Sequence, residues 1–417
     1  MAEDEPHLVV VGASLAGLRA VESARRAGFA GTITLVGAEE HLPYDRPPLS
    51  KEFLTAAEPM QAPTLRDPAV LRDELHIDLR LGSPATGLDT ADRVVWVGSE
   101  PIGYTGLVLA TGAAPRTLPG SDHLAGVHTL RTLDDARRIR AALDAGARTV
   151  VVGAGFIGSE IASSARQRGS TVTVVEALAT PLARPVGEQM GVVLAGLHER
   201  HGTTLRCGVG VEAIEGVDSV EAVRLADGTR IEADLVVVGV GVAPTIDWLS
   251  GSGLQLDNGI VCDQTLQTSA PGVYAAGDLA SWPNPVFDTR MRLEHWTIAA
   301  EQGGVAGRHA IDPAGATAYS TVPYFWSDWY GRRIQFVGIA AGVEEVQVVA
   351  GDVDGDTFLT LYRAGDRLIG ALGLEQRGQI MKYRLMIGKG ATWAEALDFA
   401  RERSAAAAAK TAGTAPG

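Results

Sequence analysis

The sequence predicts an α/β protein with two dinucleotide-binding units in tandem and a smaller α+β region behind them. Three observations carry this. A strand, glycine loop, helix and second strand run from His7 to Val36; the same order returns from Thr149 to Glu176; and after Tyr324 the chain changes to short strands separated by glycine turns.

The elements follow in order. His7 to Val11 is a short apolar run closed by Gly12, Gly12 to Gly28 has helical character, and Thr32 to Val36 alternates as a strand. Ala91 to Gly106 reads as hairpin strands, and Tyr104 to Gly112 as a buried strand ending in glycine. Thr149 to Val152, Gly153 to Gly169 and Thr171 to Glu176 repeat the opening unit. Val209 to Gly241 repeats the hairpin and buried run, with a turn at Asp227 and Gly228 before Asp234 to Val240. Gly272 to Asp278 is a third buried strand. Pro323 marks a boundary, turns are expected at Gly355 and Gly365, a helix runs from Trp393 to about Ala400, and Ser404 to Gly417 is expected to be a frayed tail.

Composition narrows the function. Of 417 residues 46% are apolar and 21% charged, which suits a folded multidomain protein. A net charge of −14 argues against nucleic acid or an anionic membrane as the main partner. Cys207 and Cys262 are far apart and form no CxxC, so no disulfide framework, zinc cluster or dithiol can be written, and a reducing cytoplasm is expected. The acidic start, Met1 to His7, is no signal peptide, and no apolar run reaches membrane-spanning length.

The glycine loops carry the chemistry. Gly12, Ala13, Ser14, Leu15, Ala16 and Gly17 follow a strand and open a helix, whose free N–H groups suit a pyrophosphate. Ser14 replaces the middle glycine of the usual pattern, which leaves a glycine-rich structural turn as an equal alternative for this loop taken alone. The second loop keeps all three glycines, Gly153, Gly155 and Gly158, around Phe156 and Ile157. Glu176 then ends the next strand, where a carboxylate binds a ribose 2′-OH and repels a 2′-phosphate, so NADH is favoured over NADPH. One tightly held and one exchangeable dinucleotide in a single chain suggest a flavin enzyme.

Tyr44 to Lys51 (YDRPPLSK), Leu109 to Gly112 and Tyr274 to Asp278 together resemble the FAD-dependent pyridine-nucleotide oxidoreductases. The RPPLSK segment, Glu294-His295-Trp296 and Val322 to Trp326 resemble, within these, the NADH-dependent ferredoxin reductases that serve haem-thiolate monooxygenases and ring-hydroxylating dioxygenases. The resemblance spans about residues 7 to 400. It implies a glutathione-reductase-like fold: an FAD-binding domain over 1–118 and 243–322, an NAD-binding domain over 119–242, a C-terminal α+β domain over 323–405 and a disordered tail over 406–417.

The resemblance also implies roles. Gly12, Ser14, Leu15, Ala16 and Gly17 would lie on the FAD pyrophosphate, with Arg46, Ala85, Thr111, Gly112, Arg131, Gly277, Asp278 and Trp296 as further FAD contacts. Ala38 stands where the family places the acid for the FAD ribose, and Glu39 is taken as its substitute. Lys51 resembles the lysine at the flavin ring, paired with Glu160; the ordinary alternative is a solvated loop lysine. Ile157, Glu160, Glu176, Arg184 and Gly241 match NADH contacts, Arg184 being equally an exposed cap and Arg131 equally a cap for a helix starting at Leu133. Trp296 and Trp326 match aromatic positions near the flavin, with a buried core role as the alternative for Trp326.

The partner implied is a [2Fe-2S] ferredoxin. Arg363, Arg367, Arg377, Lys382, Arg384 and Lys389 outnumber Asp366 and Glu375 locally, and Arg66, Arg308, Arg332 and Arg333 extend the basic set; ordinary solvated faces are the alternative. Docking is assigned to Arg66, Trp326, Arg332, Lys382, Arg384 and Lys389. An NADH oxidase, a peroxide or disulfide reductase, or a redox-signalling flavoprotein are the competing readings, although Gly37 to Ala57 and the helix after Gly12 hold no cysteine. No heptad or long edge speaks for a dimer, so a monomer is expected.

Overall fold

The computed structural model describes residues 5–121 and 123–413. The chain folds as two compact units: the first takes the chain to Pro48, Gln61–Ala114 and Val242–Thr321, the second Leu49–Met60, Pro115–Gly241 and Val322 onward. The expected stretch 1–118 is therefore interrupted, because Leu49–Met60 packs elsewhere. Leu54 is fully buried with Ile139, Leu143 and Ile161, and the Arg140 guanidinium donates to the carbonyls of Phe53 at 2.8 Å and Ala56 at 2.7 Å.

The first unit is built on a five-stranded sheet ordered Val273–Ala275, Gly106–Leu109, His7–Val11, Thr32–Val36, Ile77–Arg80, with every pairing parallel. Leu8, Val9 and Val10 are fully buried, as a central parallel strand requires. The helix Leu15–Arg26 lies against the long helix Trp296–Ile311. That approach is possible only without side chains on the long helix, since a Cβ at Gly303 or Gly307 would stand 2.2 Å from the carbonyl oxygens of Ala16 and Ala20 respectively.

The second unit repeats the plan with a parallel sheet ordered Thr204–Cys207, Val172–Glu176, Thr149–Val152, Leu235–Val238, Val127–Thr129. The helix Leu133–Asp144 starts in a capping box, Thr132 accepting from the Asp135 N–H while the Asp135 carboxylate takes the Thr132 N–H. Thr132 is thus the cap, and the Arg131 backbone N–H also donates to Asp135, at 3.1 Å. The helix Phe156–Gln167 follows the second glycine loop.

From Tyr324 the unit adds an antiparallel sheet ordered Tyr324–Trp329, Arg332–Gly338, Arg367–Leu374, Thr357–Ala364, Glu345–Asp352. The first two strands turn through Tyr330 and Gly331, both with positive φ. The helices Arg377–Gly388 and Trp393–Gly413 follow. The last helix passes the expected end near Ala400, because the alanine run has the highest helix propensity. The tail expected over 406–417 is thus helical to Gly413, and 414–417 lie outside the described residues.

Candidate dinucleotide sites and the Lys51–Glu160 pair

In the first unit, Gly12 has φ 121° and no space for a side chain, its Cβ direction ending 2.1 Å from the Ala110 carbonyl oxygen; a Cβ on Gly17 would meet the Gly12 carbonyl oxygen at 1.9 Å. These two residues bring strand end and helix start together. Ser14 is the N-cap but its side chain makes no capping bond, so the first-turn N–H groups are not satisfied by it. Leu15 and Ala16 are buried beneath it.

A charged set stands on the same unit. The Glu39 carboxylate accepts from Arg46 at 2.6 Å and from the Tyr44 hydroxyl at 2.5 Å, and the Arg46 guanidinium lies over the Tyr44 ring. Burial opposes the Arg46 charge, yet Tyr44, Glu39 and Asp278 together hold its pKa above the ordinary value. Asp278 receives its neighbour Arg292 on its carbonyl at 2.7 Å, and the Gly277 N–H donates to the Gln302 side-chain oxygen at 2.9 Å. Gln302 is fully buried, and its amide nitrogen has no hydrogen-bond partner among the described residues. Trp296 donates through Nε1 to Asp45 at 2.6 Å. Thr111 gives its hydroxyl to the Thr245 carbonyl, Gly112 has positive φ, and Ala85 opens a hairpin strand. Glycine cradle, uncapped helix start, orphaned buried amide and mixed charges together fit a dinucleotide such as FAD.

In the second unit, Gly153 has φ 103° and sits against the Gly239 carbonyl oxygen, while Gly158 sits against Gly153. Gly155, the N-cap of the next helix, has nothing within 4 Å of its Cβ direction, and neither has Gly241. Glu176 is tied to this loop: its carboxylate accepts from the Ala154 N–H and from the Leu178 N–H, both at 2.9 Å. A carboxylate has about four lone-pair sites, so capacity for a ribose diol remains. Ile157 and Val240 are exposed apolar residues flanking the loop, at 49% and 40%, and Arg184 is exposed on a short turn of helix. Phe156 turns the other way, its ring 4.6 Å from Phe325 and within the core of the C-terminal sheet. Cys207 lies opposite Glu176 in strand register, and burial, then the Glu176 charge, push its thiol up.

Glu160, 2% exposed, is a meeting point. Its Oε2 accepts from Lys51 Nζ at 2.6 Å and from the Ser50 hydroxyl at 2.5 Å. Its Oε1 accepts from the Ser327 hydroxyl at 2.5 Å and more distantly from the Asp328 N–H at 3.4 Å. The neighbouring serines on the same helix each hold another segment: Ser159 meets His198, Ser163 accepts from the Tyr330 N–H, and Ser164 donates to the Ser50 carbonyl. Both oxygens of this buried carboxylate are thus supplied with donors. The family resemblance paired Lys51 with Glu160; Ser50, inside the same motif, and Ser327, next to Trp326, were given no role, because nothing in linear order shows which hydroxyls point at one carboxylate.

The docking candidates divide. Arg66 belongs to the first unit and pairs with the buried Glu22 at 2.7 Å. In the second, Arg332 pairs with Asp356, Arg333 with Asp328, and Arg363 with Glu344 and Glu345. Arg384 donates to the Val322 carbonyl at 2.8 Å, with its guanidinium over Tyr324. On the helix Arg377–Gly388 the exposed residues other than glycine are Arg377, Met381, Lys382 and Leu385, with Lys389 next beyond it. Trp326 lies with Tyr324 and under Arg333 on the first strand of that sheet.

The two parallel-sheet units and the appended sheet match known proteins. Residues 6–303 match the family "pyridine nucleotide-disulphide oxidoreductase", and residues 324–404 match "reductase C-terminal". Rhodocoxin reductase of Rhodococcus erythropolis is 40% identical over 366 residues, covering 87% of this chain and 85% of its own. The ferredoxin–NAD(+) reductase component of an anthranilate 1,2-dioxygenase system from Burkholderia cepacia is 36% identical over 387 residues, covering 92% and 94%. Among solved structures, the covalent putidaredoxin reductase–putidaredoxin complex aligns with a TM-score of 0.88 at 32% identity, covering 93% of this chain and 94% of that one.

Proposed function

The chain belongs to the pyridine nucleotide-disulphide oxidoreductase family, and we propose that it passes electrons from NADH through FAD to a [2Fe-2S] ferredoxin serving a haem-thiolate monooxygenase or ring-hydroxylating dioxygenase, acting as a cytoplasmic monomer. The observation that carries the proposal is the pair of glycine cradles in one chain, the second marked by Glu176 and continued by the helix that bears Glu160. Relatives along most of the chain are named as ferredoxin reductases of such systems, which supports the same reading.

FAD, when bound, supplies a centre that takes a hydride as two electrons and returns them singly. The protein's own groups bind and orient. Leu15, Ala16 and Gly17, in the first turn of the helix behind Ser14, offer backbone N–H groups to a pyrophosphate, Gly12 makes the turn with its own N–H given to the Val36 carbonyl, and Arg46 and Asp278 fix the charge beside it. Phe156, Ile157 and Gly158, in the first turn behind the N-cap Gly155, do the same for NADH while Gly153 makes the turn, Glu176 takes the ribose hydroxyls, and the Ile157 side chain gives the nicotinamide an apolar wall. Glu160 fixes Lys51, whose ammonium stabilises negative charge on a reduced ring. The two cysteines do not suit a redox role: Cys262 is buried with its thiol pushed up to about 12, and Cys207 stands beside Glu176.

Lys382 and Lys389, with Met381 and Leu385, offer an acidic ferredoxin a basic and apolar face. Visible titration of the purified protein with NADH and with NADPH tests the donor half: full bleaching of a flavin spectrum by NADH at lower concentration than by NADPH is expected. A colourless protein contradicts the FAD assignment, and equal titres contradict the role of Glu176.

A further inference from the structure

The strand Tyr324–Trp329 carries two faces. Tyr324 and Trp326 stack on one side with Arg333 beside them, while Ser327 and Trp329, fully buried or nearly so, point into the protein. The Ser327 hydroxyl donates to Glu160 Oε1 at 2.5 Å and accepts from the Trp329 indole N–H at 2.8 Å. A hydroxyl has one hydrogen to give. With Trp329 as its donor, Ser327 is left to give that hydrogen to Glu160, so the indole fixes the direction of the hydroxyl.

Glu160 is thus held from two sides: Lys51 and Ser50 on one oxygen, Ser327 on the other. Without Ser327, Oε1 keeps, among the described residues, only the Asp328 N–H at 3.4 Å, a weak contact for a buried carboxylate oxygen. The rest of the seam keeps the strand end in place independently. The Tyr330 N–H donates to Ser163, and the Tyr330 hydroxyl meets both His198 and Thr203 at 2.8 Å.

We propose that Ser327 is a positioning residue for Glu160, so that the C-terminal domain sets the orientation of the carboxylate that holds Lys51. The inference rests on the proposed role of that pair in NADH-dependent flavin reduction. It requires no contact of Ser327 with cofactor or substrate.

The test compares Ser327→Ala and Ser327→Thr with the unaltered holoprotein, using Thr203→Val as a control that removes a hydroxyl from the same seam but not from Glu160. Leaving a buried charged acceptor short of a donor exposes it to the full desolvation penalty of that group. In anaerobic stopped flow, Ser327→Ala is expected to slow flavin bleaching by NADH about tenfold or more and to change its pH profile. Ser327→Thr restores most of the rate and Thr203→Val leaves rate and profile unchanged. The second readout does not depend on the reaction. The Glu160 carboxylate band, assigned by infrared difference against Glu160→Gln, is expected to shift in Ser327→Ala and to return in Ser327→Thr. A folded Ser327→Ala holoprotein with unaltered bleaching rate and an unshifted band overturns the inference. A shifted band in a protein that NADH does not reduce supports the positioning and contradicts the proposed function instead.

Discussion

Glu176 is fixed before any ligand arrives, because the Ala154 and Leu178 N–H groups hold its carboxylate at the rim of the glycine loop. A 2′-phosphate would meet that anion at close range. Glu176→Arg is expected to lower the NADH-over-NADPH preference in kcat/KM by about tenfold or more, equivalent to about 1.4 kcal/mol; an unchanged ratio in steady-state kinetics rejects the role. The same residue scale holds a pH effect. Burial pushes His198 and His295 down to about 4, well below an unfolded histidine near 6.5, with His201 adding to the first and Asp278 opposing in the second. Between about pH 6.5 and pH 4 the unfolded chain therefore binds protons that the native protein does not. Stability is complete above about pH 6.5 and falls as the pH drops through that window, and thermal unfolding of His198→Gln should show a shallower dependence. Lys51, Glu160 and Glu176 were legible as residue types in recognisable places. Their partners Ser50, Ser327 and Ala154 were not, because hydrogen bonds across the chain depend on how strands and helices face one another.

At the scale of elements, the glycines decide what approaches what. Gly12 has φ 121° and a carbonyl oxygen 2.1 Å from its Cβ direction, so Gly12→Ala must displace either the strand Gly106–Leu109 or the helix Leu15–Arg26. Loss of flavin from the purified variant, with a lower unfolding temperature, is the expected outcome; a full flavin spectrum counts against the cradle. The central strand, glycine loop, helix and strand of both parallel-sheet units followed from apolar runs punctuated by glycine, whereas the outer strands Ile77–Arg80, Val127–Thr129 and Thr204–Cys207 and the helix Glu188–Arg200 did not. His7–Val11 and Thr32–Val36 have the bounds expected of them. Two further features did not follow. Leu49–Met60 joins the second unit because Leu54 finds its apolar partners there and the Phe53 and Ala56 carbonyls accept from Arg140, a choice that depends on tertiary contact and not on pattern. The final helix passes Ala400 because alanine needs no buried face to favour helix once the preceding turns are formed.

For the whole molecule, a net charge of −14 and an acidic partner are compatible only if positive charge is local. Linear order overstated that charge. Arg332, Arg333 and Arg363 are neutralised by acids beside them, whereas Lys382 and Lys389 remain exposed on and just beyond one helix. Arg384 is a poor probe, since its guanidinium anchors the Val322 carbonyl. Lys382→Glu with Lys389→Glu is expected to raise the KM for ferredoxin several-fold, more at low salt than at high, while leaving ferricyanide reduction unaltered; equal effects on both acceptors remove the docking face. The central claim is that one chain joins NADH to a one-electron iron–sulfur acceptor. Its most direct measurement is a single-turnover experiment: protein reduced anaerobically by NADH is mixed with oxidised [2Fe-2S] ferredoxin, and both chromophores are followed by stopped flow. Return of the flavin absorbance with matching bleaching of two ferredoxins per flavin is the predicted result. A flavin that NADH reduces but that stays reduced with every ferredoxin of a panel, and returns only with oxygen, contradicts it.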